Sequence, residues 1–346
     1  MDAVASKGVQ QPRVDGAGSP AFPQSRYLLN RLPKALATGT PVKALFVGSA
    51  NPAFSLVDSQ AAAAALKKIP LIVSFSPYLD ETAALAHYIL PNHSFLERYE
   101  DVPGAAGFPK PILGLARPVV KPVFNTRQTG DVVIQLAKAV GGTVAGAFKW
   151  DGFEACLQAT LGRKWRTLKD EGYILNAKFT PGPFETKSKK FEFTNAAIAA
   201  LPAYAAAKAP GEEAAFPLTL VPYDSNRLTT GAVGPAPFMM KSLEDTVLTA
   251  NTVRVEINPA TARNLGLADG DAAVIATPKG SAPVKVYLFD GIMPGLVAMV
   301  RGLGHSAFDA FVSGKGVNVN ALMSPVEDPG TGLEAAWGVR AKLVKA

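Results

Sequence analysis

Between Val42 and Leu90 the chain repeats one pattern: a short apolar run, a turn of small residues, then an alanine-rich or amphipathic stretch. That succession constrains the fold more than anything else in the sequence. Val42-Lys-Ala-Leu-Phe-Val47 reads as a buried strand, closed by the turn Gly48-Ser-Ala-Asn-Pro52. Residues 57 to 68 read as a helix and Leu71-Ile-Val-Ser-Phe75 as a second strand. Thr82 to His87 begins another helix, and Tyr88-Ile-Leu90 is a third strand stopped by Pro91. Strands that alternate with helices run parallel, because each helix carries the chain back across the sheet, and both faces are then covered. The fold class is therefore α/β, with a parallel, Rossmann-like lobe. Asp131 to Val140 adds an amphipathic helix ended by Gly141-Gly142, and residues 150 to 170 add more helix.

With 346 residues the chain is long enough for two cores. Residues 1–40 are rich in Gly, Pro and Ser and read as an irregular lead-in, with one short helix from Ser25 to Ala37. So loose an opening reads as the middle of something longer. The α/β domain is expected over 41–175 and a linker over 176–215. Within that linker Lys190-Phe-Glu-Phe-Thr194 alternates like a strand, and the alanine-rich stretch from Ala196 to Ala209, with Pro202 inside it and Pro210 behind it, marks the boundary. After Phe216 the character changes to short strands between Gly, Pro and Asp turns: Leu218–Val221, Thr252–Ile257, Ala272–Ala276, Val284–Phe289 and Leu296–Val300. A short helix between the second and third has Asn258 as its cap, Pro259 in its first turn and Gly266 at its end. Many short strands with one short helix predict a closed β-barrel over 216–346.

Composition excludes several functions. No apolar run approaches the roughly 18 residues that a membrane helix needs. The formal charge of +7 comes from scattered residues, and its densest cluster, Lys187, Lys189 and Lys190, reads as a solvated loop rather than a nucleic-acid surface. Charged residues are 18% of the chain, against about 25% in ordinary domains, which fits either a subunit buried in an assembly or a merely alanine-rich composition. A single cysteine allows no internal disulfide, no cysteine-ligated iron–sulfur cluster and no structural zinc site. Cys156 itself is expected to be a small buried core residue. No export signal is visible from Met1. His87 and His93 are too few and too scattered for a metal site, and read as structural. No catalytic serine, cysteine or carboxylate pair stands out, so any catalysis would come from a cofactor that this chain positions.

Three stretches carry a family resemblance. Glu81-Thr-Ala-Ala-Leu-Ala-His-Tyr-Ile-Leu-Pro91, followed by Ser94-Phe-Leu-Glu97, resembles the E-T-A…L-P…F-L-E stretch of the dimethyl sulfoxide reductase family of molybdopterin oxidoreductases. Val47-Gly-Ser-Ala-Asn-Pro52 resembles the G-x-N-P loop of the same domain, and Ile257-Asn-Pro-Ala-Thr-Ala-Arg-Asn-Leu-Gly-Leu-Ala-Asp-Gly-Asp271 resembles the signature of the family's final barrel domain. They occur in the family's order and spacing. Asn226-Arg-Leu-Thr-Thr-Gly231, Arg301-Gly-Leu-Gly-His305 and Gly314-Lys-Gly-Val-Asn318 are similar to the polysulfide-reductase-like branch, which includes subunits of menaquinone reductase complexes. The resemblance implies an α/β lobe followed by a barrel of the double-psi, molybdopterin-dinucleotide-binding type. It also implies a complex on the periplasmic side of the cytoplasmic membrane, with an iron–sulfur subunit, a multihaem cytochrome c and a quinone-reactive membrane subunit as partners. His87 stands where the family commonly has Asp, and no asparagine–glutamate–glycine–arginine segment follows Glu97. The family's amino-terminal half, with its cluster cysteines and metal-ligating residue, has no counterpart here. The chain is thus expected to be a component that works with that half or with a longer subunit, not a complete enzyme.

The implied cofactor is molybdopterin guanine dinucleotide, retained or lost. Gly48, Ser49 and Asn51 lie where an open α/β sheet binds ligands and would let backbone N–H groups approach a phosphate, or they form an ordinary turn. Ser74, Asp80 and Thr82 follow the second strand and would meet a guanosine's ribose or base; Asp80 and Thr82 serve equally as helix caps. Ser225, Asn226 and Arg227 leave the first barrel strand, and Arg227 offers a fork suited to phosphate, or else pairs with Asp224 or Glu256. His305 either contacts a pterin or, as favoured here, hydrogen-bonds its own loop. Asn318 and Asn320 read pterin edges or satisfy loop backbone. Three functions follow: a scaffold or electron-relay subunit, the cofactor-clamping part of a polysulfide- or thiosulfate-reductase-type enzyme, or a stand-alone nucleotide-binding or adaptor protein.

Overall fold

A computed structural model describes residues 10, 13–23, 25–38, 42–105, 107–180, 182–193, 208–229, 234 and 236–346. Among these, residues within 8–90 and 207–346 form one compact unit, and residues within 91–206 form another.

The first unit opens on a parallel three-stranded sheet in the order β1 (Ala44–Val47), β2 (Leu71–Ser74) and β3 (Tyr88–Ile89). Helix α1 (Leu32–Ala37) precedes it, after a 3-10 turn at Leu29–Arg31. The helix expected from Ser25 starts later because the Leu28 amide is taken by the Asp15 carboxylate at 2.8 Å. After β1 come α2 (Pro52–Ser55) and α3 (Ser59–Leu66), the latter capped by Asp58, whose side chain accepts from the Ala61 amide. Ala62, Ala65 and Leu66 are buried, and Ala65 and Leu66 join Leu36, Val47, Ala53, Ile69 and Ile72 in one apolar cluster. Small alanines let this helix pack closely against α1, and longer side chains would not fit the same space. The helix expected from Thr82 is only a 3-10 turn, Ala83–Leu85, because Ala86 is already extended and leads into β3. The sheet is not covered on every side: Phe46, Tyr88 and Ile89 are exposed.

In the second unit β4 (Glu100–Pro103), β5 (Ile112–Ala116) and β6 (Tyr173–Leu175) form an antiparallel sheet that the sequence reading did not anticipate. The helices are α4 (Thr129–Val140), α5 (Gly142–Ala147), α6 (Phe153–Leu161) and α7 (Lys164–Glu171). Leu115, Leu157, Trp165 and Leu168 make its core. Cys156 is half-buried rather than part of that core, because neighbouring Leu157 occupies the inward face of the helix. Residues 190–193 form no strand; Thr186 Oγ1 donates to the Lys190 carbonyl at 2.7 Å and Ser188 Oγ to Glu192 Oε1 at 2.7 Å, so local side chains replace a ladder there. Thr194, the alanine-rich 196–207 and residues 230–231 lie outside the described residues.

The chain then returns to the first unit through β7 (Leu218–Tyr223), the short helix α8 (Pro237–Lys241), β8 (Leu248–Thr249) and β9 (Thr252–Ile257). Helix α9 (Pro259–Asn264) is capped as expected, Asn258 Oδ1 accepting from the Ala260 amide at 2.9 Å. The last strands are β10 (Ala272–Thr277), β11 (Gly280–Leu288), β12 (Leu296–Val300) and β13 (Val339–Lys345). Neighbours run β11-β10-β13-β7-β12-β9, and a parallel β9–β11 pairing closes the ring. The strands alternate in burial, so Leu220, Val253, Val255, Ile275, Val286, Val297, Met299 and Val339 fill the interior. Strand β13 was not among the expected strands although it alternates as well: Val339, Ala341 and Leu343 point in, between Arg340 and Lys342.

Candidate functional site

The segment after β2 is locked by its own side chains. Ser74 Oγ accepts from the Ser76 amide and Ser76 Oγ from the Tyr78 amide, each at 3.2 Å. Asp80 Oδ1 caps the next turn by accepting from the Ala83 amide at 2.7 Å. Asp80 is fully buried, and its Oδ2 has no hydrogen-bond partner. Thr82, equally buried, takes the Ala53 amide on its hydroxyl at 3.1 Å and donates to Asn51 Oδ1 at 2.8 Å. Asn51 thereby bridges the end of β1 to the end of β2, since it also accepts from the Thr82 amide and donates to Glu81 Oε2 at 2.7 Å.

Glu81 is the hub, although it is not among the site residues expected from sequence. Its carboxylate faces the barrel loop after β12. There it meets His305 Nδ1 at 3.0 Å, the Ser306 amide at 2.9 Å and the Ala307 amide at 3.3 Å. A fourth bond, from the Phe308 amide to the Leu79 carbonyl at 2.8 Å, zips the same two segments together. Burial pushes the Glu81 carboxyl up, but the hydrogen bonds from His305 and Asn51 and the His305 charge outweigh it and hold Glu81 at about 2. The signal was present in the sequence, as the first residue of the Glu81-Thr-Ala stretch; what it lacked was a partner, which lies more than two hundred positions away.

His305 does not bond its own loop through its ring, contrary to expectation. Its side chain is buried, stacked on Phe54 with centroids 3.8 Å apart and met edge-on by Phe308 at 4.9 Å. Its Nε2 is buried without a hydrogen-bond partner. The glycine before it has a steric reason: at Gly304, with φ +81°, a Cβ would sit 1.9 Å from the Asn318 backbone nitrogen. The two loops therefore touch backbone to backbone. The Asn318 side chain is committed elsewhere, donating to the Phe54 carbonyl at 2.9 Å and accepting from the Asn320 amide at 3.0 Å, while Asn320 reaches the Phe54 and Ser55 carbonyls.

Gly48 and Ser49 are exposed, and Ser49 holds a left-handed φ of 51°. They flank Asn51 on the same loop. Ser225, Asn226 and Arg227 do not join this constellation. They line a separate open cleft of about 500 Å³ with Tyr223, Asp224, Glu244, Glu256 and Tyr287. Arg227 is paired there with Glu244 at 2.6 Å, not with Asp224 or Glu256, and Asp224 is taken by Arg301 at 3.2 Å. Arg227's hydrogen bond holds the Glu244 carboxyl below its ordinary value, whereas burial, then the nearby Glu256 charge, pushes the Tyr223 hydroxyl well above its own. A phosphate arriving in this cleft meets three carboxylates and must displace Glu244 to use the Arg227 fork.

The remaining histidines are structural: His87 Nδ1 accepts from the Ile72 amide at 3.0 Å, and His93 Nδ1 bonds Thr126 Oγ1 at 2.7 Å. Among the described residues no group of three or more His, Cys, Asp or Glu side chains is placed to hold a metal ion, and no helix is long and apolar enough to cross a membrane.

Residues 25–139 match the family described as molybdopterin oxidoreductase, and residues 238–339 match the molydopterin dinucleotide binding domain. The chain is 34% identical over 304 residues to the molybdopterin-binding-like subunit of menaquinone reductase from Nitratidesulfovibrio vulgaris, covering 88% of this chain and 42% of the relative. It is 23% identical to the molybdopterin-containing subunit of arsenate respiratory reductase from Shewanella sp. (strain ANA-3), covering 100% of this chain and 50% of that one. Acetylene hydratase from Pelobacter acetylenicus has the same fold, with a TM-score of 0.70 at 20% identity over 92% of this chain and 46% of the solved one. The chain thus spans about half the length of the relatives it matches, or less.

Proposed function

The chain belongs to the molybdopterin oxidoreductase family, and on that premise we propose that it serves a menaquinone-reductase-like respiratory complex as a scaffold or electron-relay component. The observation that carries this reading is the 34% identity to a menaquinone reductase subunit over 88% of the chain. The use of Asn51, Thr82 and Asn318 in holding loops together supports a scaffold role, since those side chains are committed to the protein itself. In this reading the complex is membrane-associated on the periplasmic side. Its partners are the polypeptide that supplies the rest of the family's fold, an iron–sulfur subunit, a multihaem cytochrome c and a quinone-reactive membrane subunit. Residues 41–175 and 216–346 act as the α/β and dinucleotide-binding domains, joined by 176–215.

A second reading, the cofactor-clamping part of an active reductase of the polysulfide or thiosulfate type, is favoured by two atoms. Asp80 Oδ2 and His305 Nε2 are polar, buried and without partners among the described residues, and such atoms are costly unless a ligand satisfies them. A molybdopterin guanine dinucleotide would reach them only if the segments around them open, since both atoms are closed off from solvent. Asp80 would accept from an N–H or hydroxyl of its guanosine, Gly48, Ser49 and Ser74 would border it, and His305 would meet its pterin. Ser225, Asn226 and Arg227 would bind a phosphate only after Arg227 leaves Glu244. When bound, the group supplies redox chemistry, and these residues bind and orient it.

Molybdenum, tungsten and pterin content of the natively purified assembly, per copy of this chain, separates the readings. Near-stoichiometric metal and pterin would make this chain part of a working reductase. Absence of both would leave the scaffold reading standing.

A further inference from the structure

Six large apolar side chains of the second unit, Phe95, Leu96, Val119, Val120, Val123 and Phe124, are between 43% and 78% exposed. They come from two segments that lie against each other. The Val119 and Val120 amides both donate to the Leu96 carbonyl, at 2.8 and 3.3 Å, and the Arg127 amide donates to the Pro91 carbonyl at 3.0 Å. Side chains complete the fastening. Glu97 accepts from the Val123 amide through Oε1 and from the Ser94 amide through Oε2, both at 2.9 Å, and His93 Nδ1 bonds Thr126 Oγ1 at 2.7 Å. The usual arrangement is thus reversed: polar groups bond the two segments to each other, and the apolar side chains are left to water. Single exposed apolar residues need no explanation, but a group of them on hydrogen-bonded backbone marks an interaction surface.

We infer that this surface docks the polypeptide that supplies the rest of the family's fold. The inference rests on the reading above, in which that polypeptide is a partner of this chain. The menaquinone reductase subunit and acetylene hydratase are covered over only 42% and 46% of their lengths, so more than half of each lies beyond the part that this chain matches. A fold shared with longer chains carries the faces that their remaining length packs against, and in a chain of half that length such a face is left for a partner. The surface lies within residues 25–139, the part that matches the molybdopterin oxidoreductase family. Its two phenylalanines among aliphatic side chains suit the core of a protein interface. A lipid surface would call for a cluster of about four or more uncommitted Lys or Arg beside the patch. Here Arg98 is paired with Glu100, Arg117 donates to the Lys169 carbonyl and Arg127 to Gln135 Oε1, so among the described residues Lys121 is left as the cation of the patch.

Cross-linking in the natively purified assembly tests this. A benzophenone amino acid in place of Phe124 is irradiated in the full complex, and the joined peptides are sequenced by mass spectrometry. The expected product joins this chain to a polypeptide that matches the family's amino-terminal half. Phe124→Asp combined with Val123→Asp is expected to lower the amount of that polypeptide purified with the chain about tenfold or more, since it places two charges in an apolar contact. Both side chains are mostly exposed, so the double variant should keep its wild-type circular dichroism and thermal midpoint. A cross-link to a second copy of this chain, to lipid or to another subunit overturns the inference, as does no cross-link at all or a double variant that retains the polypeptide in full. Should the double variant fail to fold, the cross-link decides. An assembly that contains no such polypeptide defeats the reading of the complex, and the inference with it; one that contains it but joins it elsewhere defeats the docking surface alone.

Discussion

Two acid–base pairs in the same unit look alike on paper and differ in kind. Arg227–Glu244 is the shorter, at 2.6 Å, but its side chains are 42% and 61% exposed. Glu81–His305 spans 3.0 Å with its side chains 11% and 0% exposed, and its carboxylate also takes Asn51 and two backbone amides. Distance is therefore a poor guide to consequence. In water a pair of ions gains little by meeting, whereas a buried carboxylate with four donors cannot lose one cheaply. The first pair can open for a ligand, and the second fastens the end of the parallel sheet to the barrel.

That contrast can be broken experimentally. The largest effect is expected from Glu81→Ala, which strands the His305 ring, the Asn51 amide and two backbone N–H groups; a loss of about 3 kcal/mol in chemical denaturation is expected. An unfolding midpoint equal to wild type would mean that the buried pair contributes no more than the exposed one. Gly304→Ala should cost about 2 kcal/mol or more, because its Cβ would collide with the Asn318 backbone at a φ that L-residues avoid. The same denaturation experiment checks it, and a tolerant Gly304 would show that the two loops are less closely joined than drawn.

Acid should sharpen the comparison further. Glu81 titrates at about 2 in the fold against an ordinary 4.5, so its contribution is complete above pH 4.5 and disappears as pH falls toward 2. Stability measured between pH 5 and 2 should therefore fall less steeply in Glu81→Gln than in wild type; parallel curves would contradict the depressed carboxyl. The smallest effect belongs to Arg227→Ala, which should leave the denaturation midpoint in place at moderate salt. A clear loss of stability there would mean that the cleft pair is structural and not available to a phosphate.

Much of the fold was legible locally. The three parallel strands, the cap at Asn258 and the alternating barrel strands all follow from patterns within about ten residues, because backbone bonding and side-chain period are set by near neighbours. The β4-β5-β6 sheet was missed because Glu100–Pro103 is exposed throughout and carries no apolar alternation. Strand β13 did alternate, but only ring closure with β7 and β10 gives it a place.

Of the site, residue types determined which chemistry was available: Asn51, Asp80, Thr82 and His305 were recognisable as polar side chains at the ends of strands. Tertiary structure alone decided which of them meet. Arg227 chose Glu244 over Asp224 and Glu256, and His305 chose Glu81 over its own loop; for the second, a buried donor or acceptor must be satisfied by whatever the fold brings within about 3 Å. Sequence distance carries no information about that choice.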